Sequence, residues 1–520
     1  MKRRSFIRTA GAAVTLPMLL NGMKLSALPR TSIFNSINNE SDRVLVLIQL
    51  SGGNDGLNMV IPLDQYDNLA NVRGNIMLPQ NSLLNLSNTT SLHPAMTGIR
   101  SLYDNDRLTI VQAAGYPDQN RSHFRSTDIW TSGSPSNQNW TTGWLGRYLD
   151  GLYPGFPTGY PNETNPDPFA ITMGNLVSET CQGVVANFSL TLNDPFSLGV
   201  LAEGEPGSVP DTPYGNELTF LRTTIAQTNA YSEVVTAAAN NGANLAVYPA
   251  GNRLAEQLKN VALLIAGGLQ TKVYVVTLGG FDTHANQVQA GDVATGEHAE
   301  LLAVLSEAMA AFQQDLGLLG IEERVISMTF SEFGRRIRSN DSLGTDHGTA
   351  APLMVFGSCV NSQILGESPE ITTSVDADEG VAMQHDFRDI YGSILMDWFE
   401  VSESDVRSLL YQDFQHLPIL QVCATTSTQP EASLNHEAIE VTAYPNPFQD
   451  WTTISFRSGN EWCKLSVFDA AGNEVRVLTN QRISAGEHQI RFEAHDLPAG
   501  SYYFRLQLDG RQKTRKMVKI

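Results

Sequence analysis

Three turns between Thr277 and Thr349 carry side chains able to do chemistry: Leu278-Gly-Gly-Phe-Asp-Thr-His284, Thr329-Phe-Ser-Glu-Phe-Gly-Arg335 and Gly344-Thr-Asp-His-Gly-Thr349. Each lies just after or just before a run of β-forming residues. Asp and Glu oxygens beside His nitrogens are donors that zinc accepts, and carboxylates alone also suit calcium or magnesium. The expected chemistry is hydrolysis at a divalent metal, with Asp282, His284, Glu332, Asp346 and His347 as candidate ligands. One residue separates Asp282 from His284, and in an extended segment that spacing turns both side chains to one side. A purely structural His–Asp couple has the same spacing. Gly348 lets the Asp346-His347 loop turn tightly against a ligand. Arg335 and Arg336 follow Glu332 and could grip a sulfate or phosphate, or pair within the structure.

Two upstream segments add candidates. Asp118-Gln-Asn-Arg-Ser-His-Phe-Arg-Ser-Thr-Asp128 leads into a predicted helix. Ser122 falls near its N-terminus, where backbone N–H groups and the helix dipole favour an anion or alkoxide. Ser122 is therefore either a nucleophile or an ordinary N-cap, with Arg121, His123 and Asp128 as secondary candidates. Ser51-Gly-Gly-Asn-Asp-Gly56 offers Asn54 and Asp55 in a turn whose glycines allow close backbone approach to a ligand.

The elements that must position these groups alternate in type. Arg43–Leu50, Leu108–Ala114, Lys272–Leu278, Arg324–Phe330 and Pro352–Phe356 are continuous apolar runs, as in strands buried on both faces. Asn252–Gly267 and Glu297–Leu319 have apolar residues at helical spacing. The pattern predicts an α/β fold with a mostly parallel central sheet and helices on both faces, its ligand crevice at the carboxyl ends of the strands. Residues 134–220, rich in Gly, Pro, Asn and Thr, read as an irregular insertion over that crevice, a cap that shapes substrate binding.

A cationic start and a short apolar stretch predict a signal peptide over residues 1–28, and Arg3-Arg4-Ser-Phe-Ile-Arg8 fits the twin-arginine pattern. No other segment is long and apolar enough to span a membrane. The net charge of −20 disfavours nucleic acid and anionic membranes as partners. Four cysteines lack metal-type spacing; at least two are expected as buried free thiols. A polar linker is expected over 421–440, and beyond it short alternating strands such as Thr452–Phe456 and Tyr502–Leu508 predict a small Ig-like β-sandwich over 441–520.

Tyr444-Pro-Asn-Pro-Phe448, Val467-Phe-Asp-Ala-Ala-Gly-Asn473, Leu497-Pro-Ala-Gly-Ser-Tyr-Tyr-Phe504 and Lys516-Met-Val-Lys-Ile520 resemble the C-terminal sorting domain of type IX secretion substrates. That resemblance implies a Bacteroidetes-type bacterium, passage through the periplasm and across the outer membrane, and the secretion machinery as partner. Residues 44–420 resemble the twin-arginine-exported family catalogued as domain of unknown function 1501, similar in fold to sulfatases and alkaline phosphatases. The motifs are Ser-Gly-Gly-Asn-Asp-Gly-Leu-Asn, Arg-Ser-His-Phe, Gly-Gly-Phe-Asp-Thr-His, Ser-Glu-Phe-Gly-Arg and Thr-Asp-His-Gly-Thr, in that order.

This second resemblance places Asp55 at the superfamily's first metal aspartate and Ser122 at the start of the nucleophile-bearing helix. Asp282 and His284 resemble its Asp…His metal pair, more closely spaced here, and His347 its late metal histidine. Glu332-Phe333 stands where the superfamily has Asp-His, which removes one imidazole. The resemblance thus implies one nearly complete metal site and one poor in ligands.

The leading expectation is a secreted metal-dependent hydrolase of sulfate or phosphate esters. Ser122 would attack, Arg335 would neutralise the anion, and Asp55 with Glu332 would complete a second site. The alternative is a surface binding or scaffold protein with a degenerate site. A third reading, a glycan-acting enzyme using paired carboxylates, predicts activity insensitive to chelators.

Overall fold

The computed structural model describes residues 42–198, 212–421, 441–469, 474–508 and 511–520. The expected signal peptide and residues 422–440 of the expected linker lie outside the described residues. The chain divides into two compact units after Thr426.

In the first unit β1 (Val44–Ser51) precedes a small antiparallel sheet of β2 (Val60–Pro62), β3 (Leu84–Asn85) and β4 (Thr90–Leu92). Then come β5 (Leu108–Gly115), β6 (Ala170–Met173), β7 (Ser189–Leu192), β8 (Val273–Gly279) and β9 (Val325–Phe330). β10 (Ala351–Phe356), β11 (Gln363–Leu365) and β12 (His385–Asp386) complete the unit. The main sheet has nine strands in the order β11-β5-β10-β9-β1-β8-β6-β7, with β12 also on β5. β10 is antiparallel to β5 and β9, and every other pair is parallel. The carboxyl ends of β1, β5, β8 and β9 therefore share one edge, and the loop entering β10 arrives there too.

The apolar runs follow from burial on both faces. Val44, Val46, Ile48 and Leu50 of β1 pack into one core, while Leu45 and Leu47 pack into the other. The first core is closed by helices that include Arg253–Ala266 and Glu297–Leu318, through Leu258, Val261, Leu305 and Phe312. Asn252 starts the first of these helices by accepting the N–H groups of Leu254 and Ala255. The second core is closed by His123–Ser132, Trp144–Leu152 and Phe387–Asp397, through Trp130, Trp144, Tyr148 and Tyr391.

Residues 134–220 differ from the expected irregular cap. They supply the Trp144–Leu152 helix and β6 and β7, which extend the sheet beyond β8. Both strands are only four residues long and buried throughout, so they show neither alternation nor a long apolar run.

Behind the site edge two histidines are fully buried. His93 Nδ1 accepts the Ala95 N–H at 3.1 Å, and His298 Nε2 bonds Asn54 Oδ1 at 2.9 Å. Burial pushes His93 down to about 3 and His298 down to about 4. The folded state thus keeps both neutral while the unfolded chain takes up protons below about pH 6.5, so stability is present above that value and lost as pH falls. Urea unfolding of metal-stripped protein at pH 7.5 and 5.5 is expected to show a loss of roughly 2–3 kcal/mol at the lower pH. A flat profile would contradict this.

The second unit is a β-sandwich. β13 (Val441–Tyr444), β14 (Trp451–Ser458) and β17 (Gly486–Glu493) form one antiparallel sheet. β15 (Glu461–Phe468), β16 (Glu474–Ile483), β18 (Gly500–Leu508) and β19 (Arg511–Lys519) form the other. Phe456 and Phe492 of the first sheet meet Leu465, Phe504 and Met517 of the second in one core. Cys181 and Cys463 are buried and outside any disulfide, and Cys359 is disulfide-bonded. Among the described residues no helix is long and apolar enough to cross a membrane.

Candidate metal centre

The loops at the shared sheet edge are tied together by Arg335, which is fully buried. Its Nε donates to Gly53 O at 2.6 Å and its Nη1 to Thr345 O at 2.8 Å. Its Nη2 donates to Phe281 O at 2.9 Å and Asp282 Oδ1 at 2.8 Å, and also to Gly52 O. Two glycines make this meeting sterically feasible. A Cβ on Gly52 (φ +126°) would overlap Asp282 N, and one on Gly53 (φ +80°) the Phe333 ring.

Around Asp282 Oδ1 three imidazoles converge. His284 Nε2 and His347 Nε2 lie 3.2 Å from it, and His123 Nε2 lies at 3.4 Å. His284 Nε2 and His347 Nε2 are 2.9 Å apart. The ligand atoms of His123, Asp282 and His347 all fall within 4.8 Å of one another.

Each imidazole has its other nitrogen anchored outward. His123 Nδ1 bonds Glu332 Oε1 at 2.8 Å, His284 Nδ1 bonds Asp346 Oδ1 at 2.9 Å, and His347 Nδ1 bonds Arg121 O at 2.8 Å. All three outer partners are acceptors, so each Nδ1 carries a proton, and a neutral ring then presents its Nε2 lone pair inward. This is the arrangement of metal-bound histidines held by carboxylate or carbonyl partners. Two inward lone pairs 2.9 Å apart repel unless a cation or proton lies between them. His123 Nε2 is also shielded from water and has no hydrogen-bond partner.

Electrostatics favour the same state. Burial pushes His347 below the usual imidazole value, against its bonds to Arg121 and Asp282, which keeps it neutral. For Asp282 burial acts upward, but the hydrogen bond and charge of Arg335, then His347 and His284, hold the carboxyl below its usual range. The donor set is three imidazoles plus one carboxylate. Zinc ligands at about 2.0–2.1 Å in a tetrahedron stand about 3.3 Å apart, close to the 3.2–3.4 Å from Asp282 Oδ1 to each imidazole and the 2.9 Å between His284 and His347, while His123, Asp282 and His347 spread over up to 4.8 Å. Calcium and magnesium want oxygen donors and fit this set poorly.

The structure brings together Asp282, His284 and His347 and joins His123 to them. The other expected residues take different places. Glu332 Oε1 also accepts the Gly52 N–H at 2.9 Å, so it orients His123 and the β1 loop. Asp346 accepts from His284 and from Asn340 Nδ2 at 3.3 Å. Phe333 is buried against His123 and His347, with ring centroids 4.8 and 4.6 Å apart, and fixes both imidazoles where the resemblance expected another ligand. Asp55 is fully buried and paired with Arg73, and its Oδ2 accepts Gln287 Nε2 at 2.6 Å. Its carboxylate is paired with a protein cation, where the resemblance expected a metal.

Arg335 has its N–H groups engaged by backbone carbonyls and Asp282, leaving no free fork for a substrate anion. Arg336 Nη1 lies 3.5 Å from Asp346 Oδ2. Ser122 occupies the N-cap of the His123–Ser132 helix, exposed, with no capping hydrogen bond from its side chain. Asp128 is exposed six residues further along that helix. The sequence signal for His123 was its place in the first turn after β5, beside Ser122.

The fold and cluster define an α/β protein with a histidine–aspartate centre at the carboxyl edge of a mostly parallel sheet. The chain belongs to the family described as "Protein of unknown function (DUF1501)", whose model matches residues 105–398. That span contains every converging side chain but not Asp55. The secretion system C-terminal sorting domain matches residues 442–520, so the chain is exported to the cell surface or beyond. No curated protein matches the chain.

Among solved structures, an alkaline phosphatase superfamily protein from Vibrio parahaemolyticus is 10% identical, over 81% of this chain and 76% of that one, with a TM-score of 0.30. A sulfatase from Pseudoalteromonas sp. is 9% identical, over 87% and 83%, with a TM-score of 0.30. PorZ, a surface component of the type-IX secretion system of Porphyromonas gingivalis, is 22% identical over 15% of this chain, with a TM-score of 0.13. The chain spans 11% of the length of PorZ. Likenesses this distant say nothing about chemistry.

Proposed function

We propose that this chain is a secreted, metal-dependent hydrolase of sulfate or phosphate esters, with one divalent cation, zinc by donor type, held by His123, Asp282, His284 and His347. The observation that carries the reading is the convergence of three imidazole Nε2 atoms on Asp282 Oδ1, each with its Nδ1 tied outward. When bound, such a cation would polarise the ester and offset charge that develops in the transition state. Three neutral imidazoles and one carboxylate leave the centre net positive, which suits an anionic reacting group. Arg335 adds charge from beneath Asp282 and holds that carboxylate in place.

Ser122 is the proposed nucleophile, at the N-terminus of a ten-residue helix and next to His123. Its Oγ would bond to sulfur or phosphorus as the alcohol leaves, and water would then release the acid from the serine. The export route we propose runs from the twin-arginine signal at 1–28, through the periplasm, to the type IX machinery that reads 441–520. The domain at 40–420 carries the chemistry, and 421–440 links the two.

Aryl sulfate and aryl phosphate esters test the reading on metal-loaded protein. Turnover abolished by chelation is expected, with Ser122→Ala lowering kcat by about three orders of magnitude or more while metal content is unchanged. Metal bound by a folded protein that turns over no ester would point instead to a binding or scaffold role. Turnover insensitive to chelators would point to paired carboxylates.

A further inference from the structure

Asn54 lies in the turn after β1, yet its side chain is 1% exposed and turns to two groups outside the centre. Oδ1 lies 2.9 Å from His298 Nε2, and Nδ2 lies 2.9 Å from Met59 Sδ. A thioether accepts and never donates, so the amide N–H belongs against the sulfur and Oδ1 against the histidine. His298 Nε2 is then the donor. Burial keeps this ring neutral, so its Nδ1 is a bare lone pair, and that atom is shielded from water with no hydrogen-bond partner. The ring stands edge-on to Phe281 and to His93, with centroids 6.1 and 6.4 Å away, which fixes the direction of its N–H.

The turn that this bond holds orients two members of the centre. Gly52 and Gly53 have positive φ and no side chains, so nothing of their own pins them. Their peptide groups nevertheless reach the centre at one remove. The Gly52 N–H donates to Glu332 Oε1 at 2.9 Å, the oxygen that takes His123 Nδ1 at 2.8 Å. Gly53 O accepts Arg335 Nε at 2.6 Å, and Arg335 Nη2 holds Asp282 Oδ1 at 2.8 Å. The Asn54 N–H donates to Ser331 Oγ at 3.0 Å, beside Glu332. Asn54 is the first residue past the glycines with a side chain that can anchor the turn, and its anchor is His298. Metal ligands must be held to within about 0.5 Å, and their outer hydrogen bonds do the holding. Without the His298 donor, Asn54 Oδ1 would stay buried and unsatisfied, and the turn would shift to relieve it.

Resting on the metal-centre part of the reading above, we propose that His298 and Asn54 are positioning residues of the centre. Their bond fixes the 51–56 turn, which sets His123 through Glu332 and Asp282 through Arg335. Neither side chain touches the metal or the substrate. The affinity of the centre for zinc is thus set in part by a neutral histidine buried behind the sheet edge.

Competition with a chromophoric chelator, on the full chain, reads zinc affinity without any need for turnover. His298→Leu is expected to lower that affinity about tenfold or more, and to alter the visible absorption of cobalt-loaded protein, which reports ligand geometry. His298→Gln can present an N–H to Asn54 and should restore most of both. Asn54→Ala removes the acceptor and should match His298→Leu, and it decides the question if that variant does not fold. Asp315→Asn controls for plain loss of stability. Asp315 lies about 25 Å further along the same helix, where it accepts the Leu245 and Ala246 N–H groups at 2.7 and 2.8 Å. Its substitution should destabilise the fold and leave zinc affinity unchanged. Wild-type affinity in folded His298→Leu or Asn54→Ala would overturn the positioning role, as would an equal loss of affinity in Asp315→Asn. A wild-type chain that takes up no zinc would overturn the centre itself and this role with it.

Discussion

Arg73→Met is expected to lower the stability of the first unit by about 3–5 kcal/mol, measured by urea unfolding of metal-stripped protein. Arg73 Nη1 lies 3.1 and 3.0 Å from the two Asp55 oxygens, and both side chains are buried. Arg73 also donates to Ile337 O at 2.8 Å and Arg336 O at 2.7 Å, joining the β1 turn to the segment after β9. Burial alone would raise the Asp55 carboxyl, but Arg73, then His298 and Gln287, hold it below its usual value. Without the guanidinium a carboxylate would remain buried and unpaired. Pairing Arg73→Met with Asp55→Asn should therefore recover most of the loss. A change below about 1 kcal/mol in the single variant would contradict this account. The same ion pair explains why one metal per chain is expected and not two.

His347→Ala is expected to cost more metal affinity than any outer-partner variant. His347 supplies an inward Nε2, packs on Phe333 and takes its orientation from Arg121. Glu332→Gln removes only the charge that steadies His123 and should lower affinity about 10–100-fold. His347→Ala should exceed that range while the fold stays intact, because the side chain is partly exposed and leaves no buried charge unpaired. Competition with a chromophoric chelator reads both. Equal, small effects would mean that His347 is not a ligand.

The core strands were legible because burial on both faces leaves an unmistakable signature. β1, β5, β8, β9 and β10 each appear as an apolar run within a residue or two of their observed ends. β6 and β7 were not legible, since four buried residues among Gly- and Pro-rich loops carry no period. In the site, Asp282, His284 and His347 could be read from their turns. What sequence cannot distinguish is which acceptor a strand-end carboxylate serves. Glu332, Asp346 and Asp55 were alike as candidate ligands, yet the structure gives them to His123, His284 and Arg73 respectively. Arg335 looked like an anion grip, and only its depth and its carbonyl partners reveal a brace. Glu332-Phe333, a gap when set beside the sulfatases, is a matched pair in three dimensions. Its carboxylate orients His123, and its ring packs against His123 and His347.

The most direct test of the centre is the metal itself. Elemental analysis of the protein purified without chelators, with X-ray absorption at the metal edge, is expected to give one zinc per chain bound by imidazole nitrogens and a carboxylate oxygen, at about 2.0–2.1 Å. That signal should vanish in His347→Ala. A folded protein that holds no metal and takes none up, or one whose metal is bound by oxygen alone, would contradict the assignment of His123, Asp282, His284 and His347.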